Sequence, residues 1–369
     1  MSDNPFLALP GAVVADFAAS HYGAPLVEQR ALAEGNAVVS LAHHGVITVA
    51  GVDRLSWLHS MTSQGLTALP SGESVETMLL DMQGRIEHVI RLVDDGERAW
   101  LLVDEGHADA LTEYLMRMRF ALRVEVENVS DRFATVLAFE GGSATAALRG
   151  IGTAVVEWVD PWARVLPGGV QYSRGEHAGA EWNAVHFVFP REELSAVVSL
   201  IESGQCSVAG TMALDALEVR AWRPSQHSDV DDRSIPHEFD WLRTAVHLNK
   251  GCFRGQETIA KVHNLGHPPR RLALLHLDGS AGQLPEPGAL VFVAGADADA
   301  RPIGRMTRSA LHYEWGGIAL ALLKRSVPED AALEVVVDAE TGERMAAAQE
   351  VIVPADAGHA REIPRLKRL

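Results

Sequence analysis

Apolar residues fall along this chain in short alternating runs broken by helical stretches, and the order of those runs predicts an α+β architecture. Residues 13–34 read as a helix. Strand-like runs at 38–41 and 46–49 follow, and Asp53 then stands where the N-cap of a helix carrying Leu55, Leu58, His59 and Met61 is expected. Three further strands are predicted at 75–80, 86–93 and 100–103. An amphipathic helix over 107–120 puts Leu111, Leu115 and Met118 on one face, and Val124, Val126 and Val129 close the unit. Strand, helix, strands, helix, strand is the split βαβ pattern of ferredoxin-like units. A looser echo has a strand at 134–139, a helix at 144–148, strands near 164–172 and 185–189, and a helix at 192–202. Two related, interleaved units are expected, divided near 130–140, although no fixed-period repeat is visible.

A helix over 212–222 leads into a loop at 223–236 rich in Asp, Ser and Pro, then into short helical stretches at 239–247 and 256–263. The pattern changes after Pro268-Pro269. Runs at 272–277, 290–293, 303–306, 318–323 and 333–337 are separated by Gly, Pro and Asp, as in a small barrel or sandwich. The domain reading is therefore an α+β region over 1–267 and a β-barrel domain over 268–369.

Length and charge narrow the function. A chain of 369 residues has room for two or three domains, and 47% apolar content is that of a folded protein. With 32 basic against 49 acidic residues, a net of -17, generic binding to nucleic acid or to anionic membranes is not expected. Cys206 and Cys252 are too few for a disulfide framework, a Cys-rich zinc site or a Cys-ligated iron–sulfur cluster. The first 25 residues carry Asp3 and Asp16 and no Lys or Arg, and no apolar run approaches the roughly 18 residues of a membrane span. A cytoplasmic location is the expectation.

Two adjacent segments depart from the average charge. Asp229, Asp231, Asp232, Glu238 and Asp240 precede a basic stretch holding Lys250, Arg254, Lys261, Arg270 and Arg271. They form either mutually neutralising faces or a bipolar ligand site, in which carboxylates accept N–H donors of a heterocycle and the cations hold an anionic tail. Within the basic stretch lies Lys250-Gly251-Cys252-Phe253-Arg254-Gly255-Gln256-Glu257. Its two glycines allow a tight turn into the helix near Gln256, whose first N–H groups favour anions. Lys250 and Arg254 would stabilise a Cys252 thiolate; the alternative is that Cys252 is a small packed residue. A Walker A loop, an EF-hand, a Gly-x-Ser-x-Gly elbow, a His-Glu-x-x-His motif and a complete dinucleotide fingerprint are all missing. His43 and His44 fall in a predicted strand, where neighbouring rings face opposite ways and do not share a metal. No metal site is expected.

That octet resembles the Lys-Gly-Cys-Tyr-x-Gly-Gln-Glu signature of the YgfZ family of folate-binding proteins, relatives of GcvT, the aminomethyltransferase T protein of the glycine cleavage system. Phe253 stands where Tyr is usual. Supporting segments are Gly45-Val-Ile-Thr-Val-Ala-Gly-Val-Asp-Arg-Leu-Ser-Trp-Leu-His, Leu217-Glu218-Val-Arg, Ile235-Pro-His-Glu238 and Ile303-Gly-Arg-Met-Thr-Arg-Ser, so that the similarity spans roughly residues 35–340. The resemblance implies three domains around a central hole that binds tetrahydrofolate or a one-carbon derivative, with a C-terminal β-barrel. It implies Glu238 as the folate-contacting carboxylate, Glu218 as a weaker match, and Arg254, Gly255 and Gln256 as further binding positions. Lys250 and Cys252 take the signature positions, linked in that family to assembly or repair of iron–sulfur proteins. Iron–sulfur client or assembly proteins are thus the implied partners, with the chain itself a monomer. The transferase branch has Gly-Gly-Ile-x-Asp-Asp where this chain reads Gly84-Arg85-Ile86-Glu87-His88, without the paired aspartates. A folate-dependent aminomethyltransferase or demethylase is therefore the runner-up, and a binding module without chemistry is the third reading.

Overall fold

The structure is a computed structural model that describes residues 4–279, 282–297, 299–338 and 340–359. The basic end at 361–369 lies outside the described residues.

The front of the chain departs from the helix expected over 13–34. It forms a hairpin, β1 (Val13–Ala15) and β2 (Ala18–His21), followed by a shorter helix α1 (Pro25–Ala33). Val13-Val14 favours extended backbone, Asp16 turns the chain at a positive φ of 50°, and Gly23 with Pro25 delays the helix start. Then come β3 (Ala37–Leu41), β4 (Gly45–Ala50), α2 (Arg54–Met61), β5 (Ser74–Leu80), β6 (Ile86–Asp94), β7 (Arg98–Val103), α3 (Ala108–Met118) and β8 (Glu125–Asn128). Asp53 does stand at the α2 N-cap, yet its carboxylate binds Arg123 instead of the helix N–H groups.

The first sheet has the order β5-β6-β7-β4-β8. Leaving out the edge strand β5 gives β6-β7-β4-β8, the strand order of a ferredoxin-like unit. The second half supplies β9 (Phe133–Phe139), α4 (Ser143–Ile151), β10 (Val156–Val159), β11 (Ala184–Pro190), α5 (Leu194–Glu202) and β12 (Ser207–Ala209). Its sheet runs β10-β11-β9-β3-β12, so β3 from the front of the chain is inserted between β9 and β12. The strand expected near 164–172 is absent. Pro167, Gly168 and Gly169 prevent a regular ladder, and this segment instead bonds irregularly to residues 242–248 through Leu166, Val170 and Gly168. The edge strands of that sheet are β10 and β12.

Helix α6 (Thr211–Arg220) and the short α7 (Gln226–Asp229) link the sheets to the last part. The helix expected over 239–247 is broken into two 3-10 turns, Pro236–Phe239 and Trp241–Arg243, because Asp240 takes a left-handed φ of 57°. After α8 (Gln256–Leu265), strands β13 (Arg270–Leu277), β14 (Leu290–Val293), β15 (Gly304–His312), β16 (Gly316–Lys324), β17 (Leu333–Val336) and β18 (Arg344–Val351) close a six-stranded barrel. The alanine-rich β18 carries little strand propensity of its own. Pairing with β13 on one side and β17 on the other recruits it.

All three parts share one core. Val39 from the second sheet, Met78 and Val89 from the first, and Leu274 and Leu320 from the barrel pack with Leu217 of α6 and with Trp162, Trp222 and Trp241. Buried charge ties the same parts together. Arg223, just past α6, reaches Glu76 on β5 at 2.7 Å and Asp160 beyond β10 at 2.9 Å. Arg308 of β15 reaches Glu218 at 2.5 Å and Asp229 at 2.9 Å.

Candidate functional site

The octet folds as a loop pinned at both ends. Lys250 donates to the carbonyls of His59, Thr62 and Gln64, two of which belong to the C-terminal end of α2. Free carbonyls and the negative end of the helix dipole make that position attractive to a cation. All three ammonium protons are used there, and burial pushes the Lys250 pKa down to about 8. At the other end Gly255 opens α8 at a φ of +80°. A Cβ there would lie 2.6 Å from the Asp81 carbonyl and 2.9 Å from Gly84 Cα, so the loop presses on the turn between β5 and β6. Phe253, buried in the shared core, fills a place where a phenol would need a hydrogen-bond partner.

Arg254 turns away from the thiol. Its guanidinium forks onto Glu87, at 2.6 and 3.2 Å, and also donates to the Tyr114 hydroxyl oxygen on α3 at 3.2 Å. Glu87 is the extra residue of a β-bulge, since Leu79 pairs with His88 and Leu80 with Ile86. A bulge re-aims its side chain, here toward Arg254. The two cations that sequence places beside Cys252 are therefore engaged elsewhere. Cys252 itself is exposed, whereas Cys206 is buried and its thiol is pushed up to about 11 by desolvation. Gln256 begins α8, half-buried behind the loop.

The acidic and basic segments meet through one residue, Arg270. Arg270 bonds Glu238 through two nitrogens, both at 2.8 Å, and reaches Asp231 at 2.6 Å. Glu238 is fully buried and also accepts from the Ile235 N–H at 3.2 Å. Asp229 is held by Arg308 and Thr307, and Asp240 caps the N–H groups of Tyr172 and Ser173. Salt-bridge pairing between the two segments is thus confined to Arg270 with Asp231 and Glu238, and both Glu238 oxygens have protein partners.

Glu218 is placed differently. It lines a cavity of about 280 Å³ between the two sheets, walled by the β1–β2 turn, the His43-His44 turn, β6, the end of β7, α6 and α7. Burial pushes its pKa up to about 7; the Arg308 guanidinium opposes this and Asp215 adds to it. Arg91 and Asp104 pair across the cavity wall at 2.7 Å. His43 and His44 lie in the turn between β3 and β4, not in a strand, with rings 4.6 Å apart edge to face. Two buried atoms of lining residues have no hydrogen-bond partner in the protein, His43 Nδ1 and Arg91 Nε. The lining carries five carboxylates, Asp16, Asp104, Glu105, Asp215 and Glu218, against the single cation Arg91. It suits N–H donors and disfavours anions. Apart from Glu218 none of these residues was expected as a ligand contact, His43 and His44 having been weighed only as a metal pair; the one signal was Arg91, a charge inside the apolar run 89–93. Among the described residues no group of three or more His, Cys, Asp or Glu side chains is arranged to hold a metal ion, and no helix is long and apolar enough to cross a membrane.

No family model matches the chain. In architecture it follows the crystal structure of the glycine cleavage system aminomethyltransferase T from Bartonella henselae, with a TM-score of 0.75 over 95% of both chains; at 18% identity this likeness is one of fold. The class is thus a GcvT-like α+β protein with a C-terminal barrel. Among curated proteins it is 25% identical over 340 residues to an aminomethyltransferase of Thermotoga neapolitana, covering 88% of this chain and 90% of that one. It is 24% identical over 258 residues to the tRNA-modifying protein YgfZ of Serratia proteamaculans, covering 68% and 73%. In sequence the chain is thus similar to both YgfZ and GcvT proteins, and in fold to the latter.

Proposed function

We propose that the chain is a folate-binding protein of the YgfZ kind, taking the ring of tetrahydrofolate or a one-carbon derivative into the cavity beside Glu218, and that it serves assembly or repair of iron–sulfur proteins through the Cys252 loop. The observation that carries the ligand reading is the set of polar groups on residues lining one small cavity: Glu218, whose Oε2 is held by Arg308, and the unpartnered His43 Nδ1 and Arg91 Nε. At about 280 Å³ the space is just under the roughly 300–1,000 Å³ of pockets for whole drug-sized ligands, so it fits a ring system and leaves the anionic tail outside. That division suits the acidic lining. Glu218 accepts from the N–H edge of the ring, Arg91 donates, and the β1–β2 turn, where Phe17 is 60% exposed, borders the mouth. A bound folate supplies the nitrogens that accept or release a one-carbon unit; the protein supplies orientation and shelter from water.

Anaerobic calorimetric titration with tetrahydrofolate tests this. Saturable binding is expected, weakened about tenfold or more by Glu218→Gln, as loss of a hydrogen bond to a charged group implies. Glu238→Gln should instead lower stability and leave the affinity of the folded protein unchanged, because Glu238 serves Arg270. Binding that is absent, or that is lost in Glu238→Gln while intact in Glu218→Gln, refutes the placement.

The pH dependence has a defined sign. A carboxyl raised to about 7 favours the folded state when protonated, so its share of stability is present below about 4.5 and fades as pH climbs through 7. Ligand affinity runs the other way, since the ionised form is the better acceptor. Affinity should rise about tenfold from pH 6 to pH 8, with proton release seen as a buffer-dependent enthalpy near pH 7. A flat profile would remove Glu218 from the site.

Cys252 supports the second half of the proposal by being exposed on a loop fixed at both ends. In the folded protein an alkylating reagent should modify Cys252 and spare Cys206, and Cys252→Ser should fail to rescue a deletion strain while folding normally. Full rescue by the Ser variant would assign the thiol no role.

A further inference from the structure

Beside Lys250 lies a second pocket, of about 630 Å³, that the folate reading does not use. Its wall is apolar along Leu69, Pro70, Val75, Leu166 and Pro167. Two of its polar residues, both imidazoles, offer donors. His59 Nδ1 accepts the Leu66 N–H at 3.1 Å, and His247 Nδ1 accepts the Asn249 N–H at 3.2 Å. A ring nitrogen that accepts a backbone N–H carries no proton, so in each neutral imidazole the proton sits on Nε2 and that atom is a donor. The His247 ring is also held in place: a Cβ on Gly65 would meet it at 3.2 Å and one on Gly168 at 2.4 Å, so two glycines flank the imidazole. Burial and the nearby Lys250 ammonium hold the His59 pKa down, in keeping with a neutral donor. Lys250 has no proton left to give, but its charge covers the negative end of the α2 dipole, which would otherwise repel an anion. Glu73, exposed, is the one acidic residue of the lining.

We infer that this pocket binds the oxyanion headgroup of a small molecule with an apolar body, received by His59 and His247 in the field of Lys250. The headgroup is a carboxylate or a phosphate, which the same two donors serve. Lys250 ties the pocket to the signature loop: a ligand here sits against the residue two positions from Cys252, at a place distinct from the cavity of Glu218. In a chain of net charge -17 such a donor-lined pocket stands out as a place for an acceptor.

The test titrates the full chain with benzoate, phenyl phosphate and the neutral benzamide, following imidazole resonances by nitrogen-correlated NMR and heat by calorimetry. Asparagine keeps an acceptor near the position of Nδ1 and lacks Nε2, so His59→Asn and His247→Asn preserve the loop hydrogen bonds and delete the donors. One or both oxyanions should bind saturably, about tenfold or more tighter than benzamide, and shift the resonances of both histidines. Each variant should lose about tenfold in affinity with its melting temperature unchanged. The better of benzoate and phenyl phosphate identifies the headgroup. If His247→Asn unfolds, His59→Asn alone decides. No saturable binding of either oxyanion, equal binding of benzamide, or unchanged affinity in a folded variant overturns the inference. Tetrahydrofolate binding is scored separately, so either site can fail without the other.

Discussion

Replacing Arg223 with methionine is expected to cost about 3–5 kcal/mol of stability, the penalty for removing one partner of a buried ion pair. Arg223 is 2% exposed and holds two carboxylates that come from different sheets. Without it, Glu76 keeps only the Thr244 hydroxyl at 2.5 Å, and Asp160 keeps the Trp182 indole at 2.8 Å and the Trp162 N–H at 3.0 Å. Two anions would then share the core with no cation bonded to either, Arg243 acting on both only through space. The test is urea unfolding of Arg223→Met, Glu76→Gln and the double variant. The double variant should be clearly less destabilised than the sum of the singles, because neutralising Glu76 relieves the charge that the first change leaves uncompensated. Additivity within about 0.5 kcal/mol would mean that the pair does not act as a unit.

Gly255→Ala is expected to have the second largest effect, about 2–4 kcal/mol, combining a left-handed backbone with an overpacked contact. The obstructing atoms are the Asp81 carbonyl and the backbone of Gly84, which have no rotamer through which to escape. Relief requires the octet loop to lift from the β5–β6 turn. The loss should therefore be local: hydrogen exchange should quicken over 81–87 and 250–259, while the barrel keeps its protection. Because Glu87 and Arg254 meet across this junction, their ion pair should loosen as well. Unchanged exchange in both segments would show that the turn yields without cost.

The alternation of strands and helices was legible because each ferredoxin-like unit buries one face of its sheet, which writes period-two and helical patterns into the chain. The barrel showed itself through Gly- and Pro-punctuated runs after Pro268-Pro269. What escaped was set by partners far away in sequence. The alanine-rich β18 becomes a strand because two neighbours offer it hydrogen bonds, and Glu87 is redirected because it is itself the unpaired residue opposite Leu79 and Leu80. At the site, spacing located the octet correctly as a turn leading into a helix. It did not give the direction of the side chains: Lys250 ends among carbonyls and Arg254 on Glu87, and neither is spent on the thiol. Neighbouring charges of opposite sign, as in Glu238 and Arg270, satisfied one another first. The cavity around Glu218 draws on the β1–β2 turn, β6, β7 and two linking helices, and no local pattern announces such a set.

The place of β3 between β9 and β12 bears on how the protein is made. Residues 37–41 leave the ribosome early, but their parallel partner at 207–209 is synthesised about 170 residues later. At roughly 5–20 residues per second that is a wait of about 10–30 s, during which the strand lacks at least one of its neighbours. An apolar strand with a bare edge is a template for wrong pairing, with another chain as readily as with its own. Nascent chains that stall between these two points should thus be the aggregation-prone species, and the stretch after β3 is where a chaperone has the most to shield.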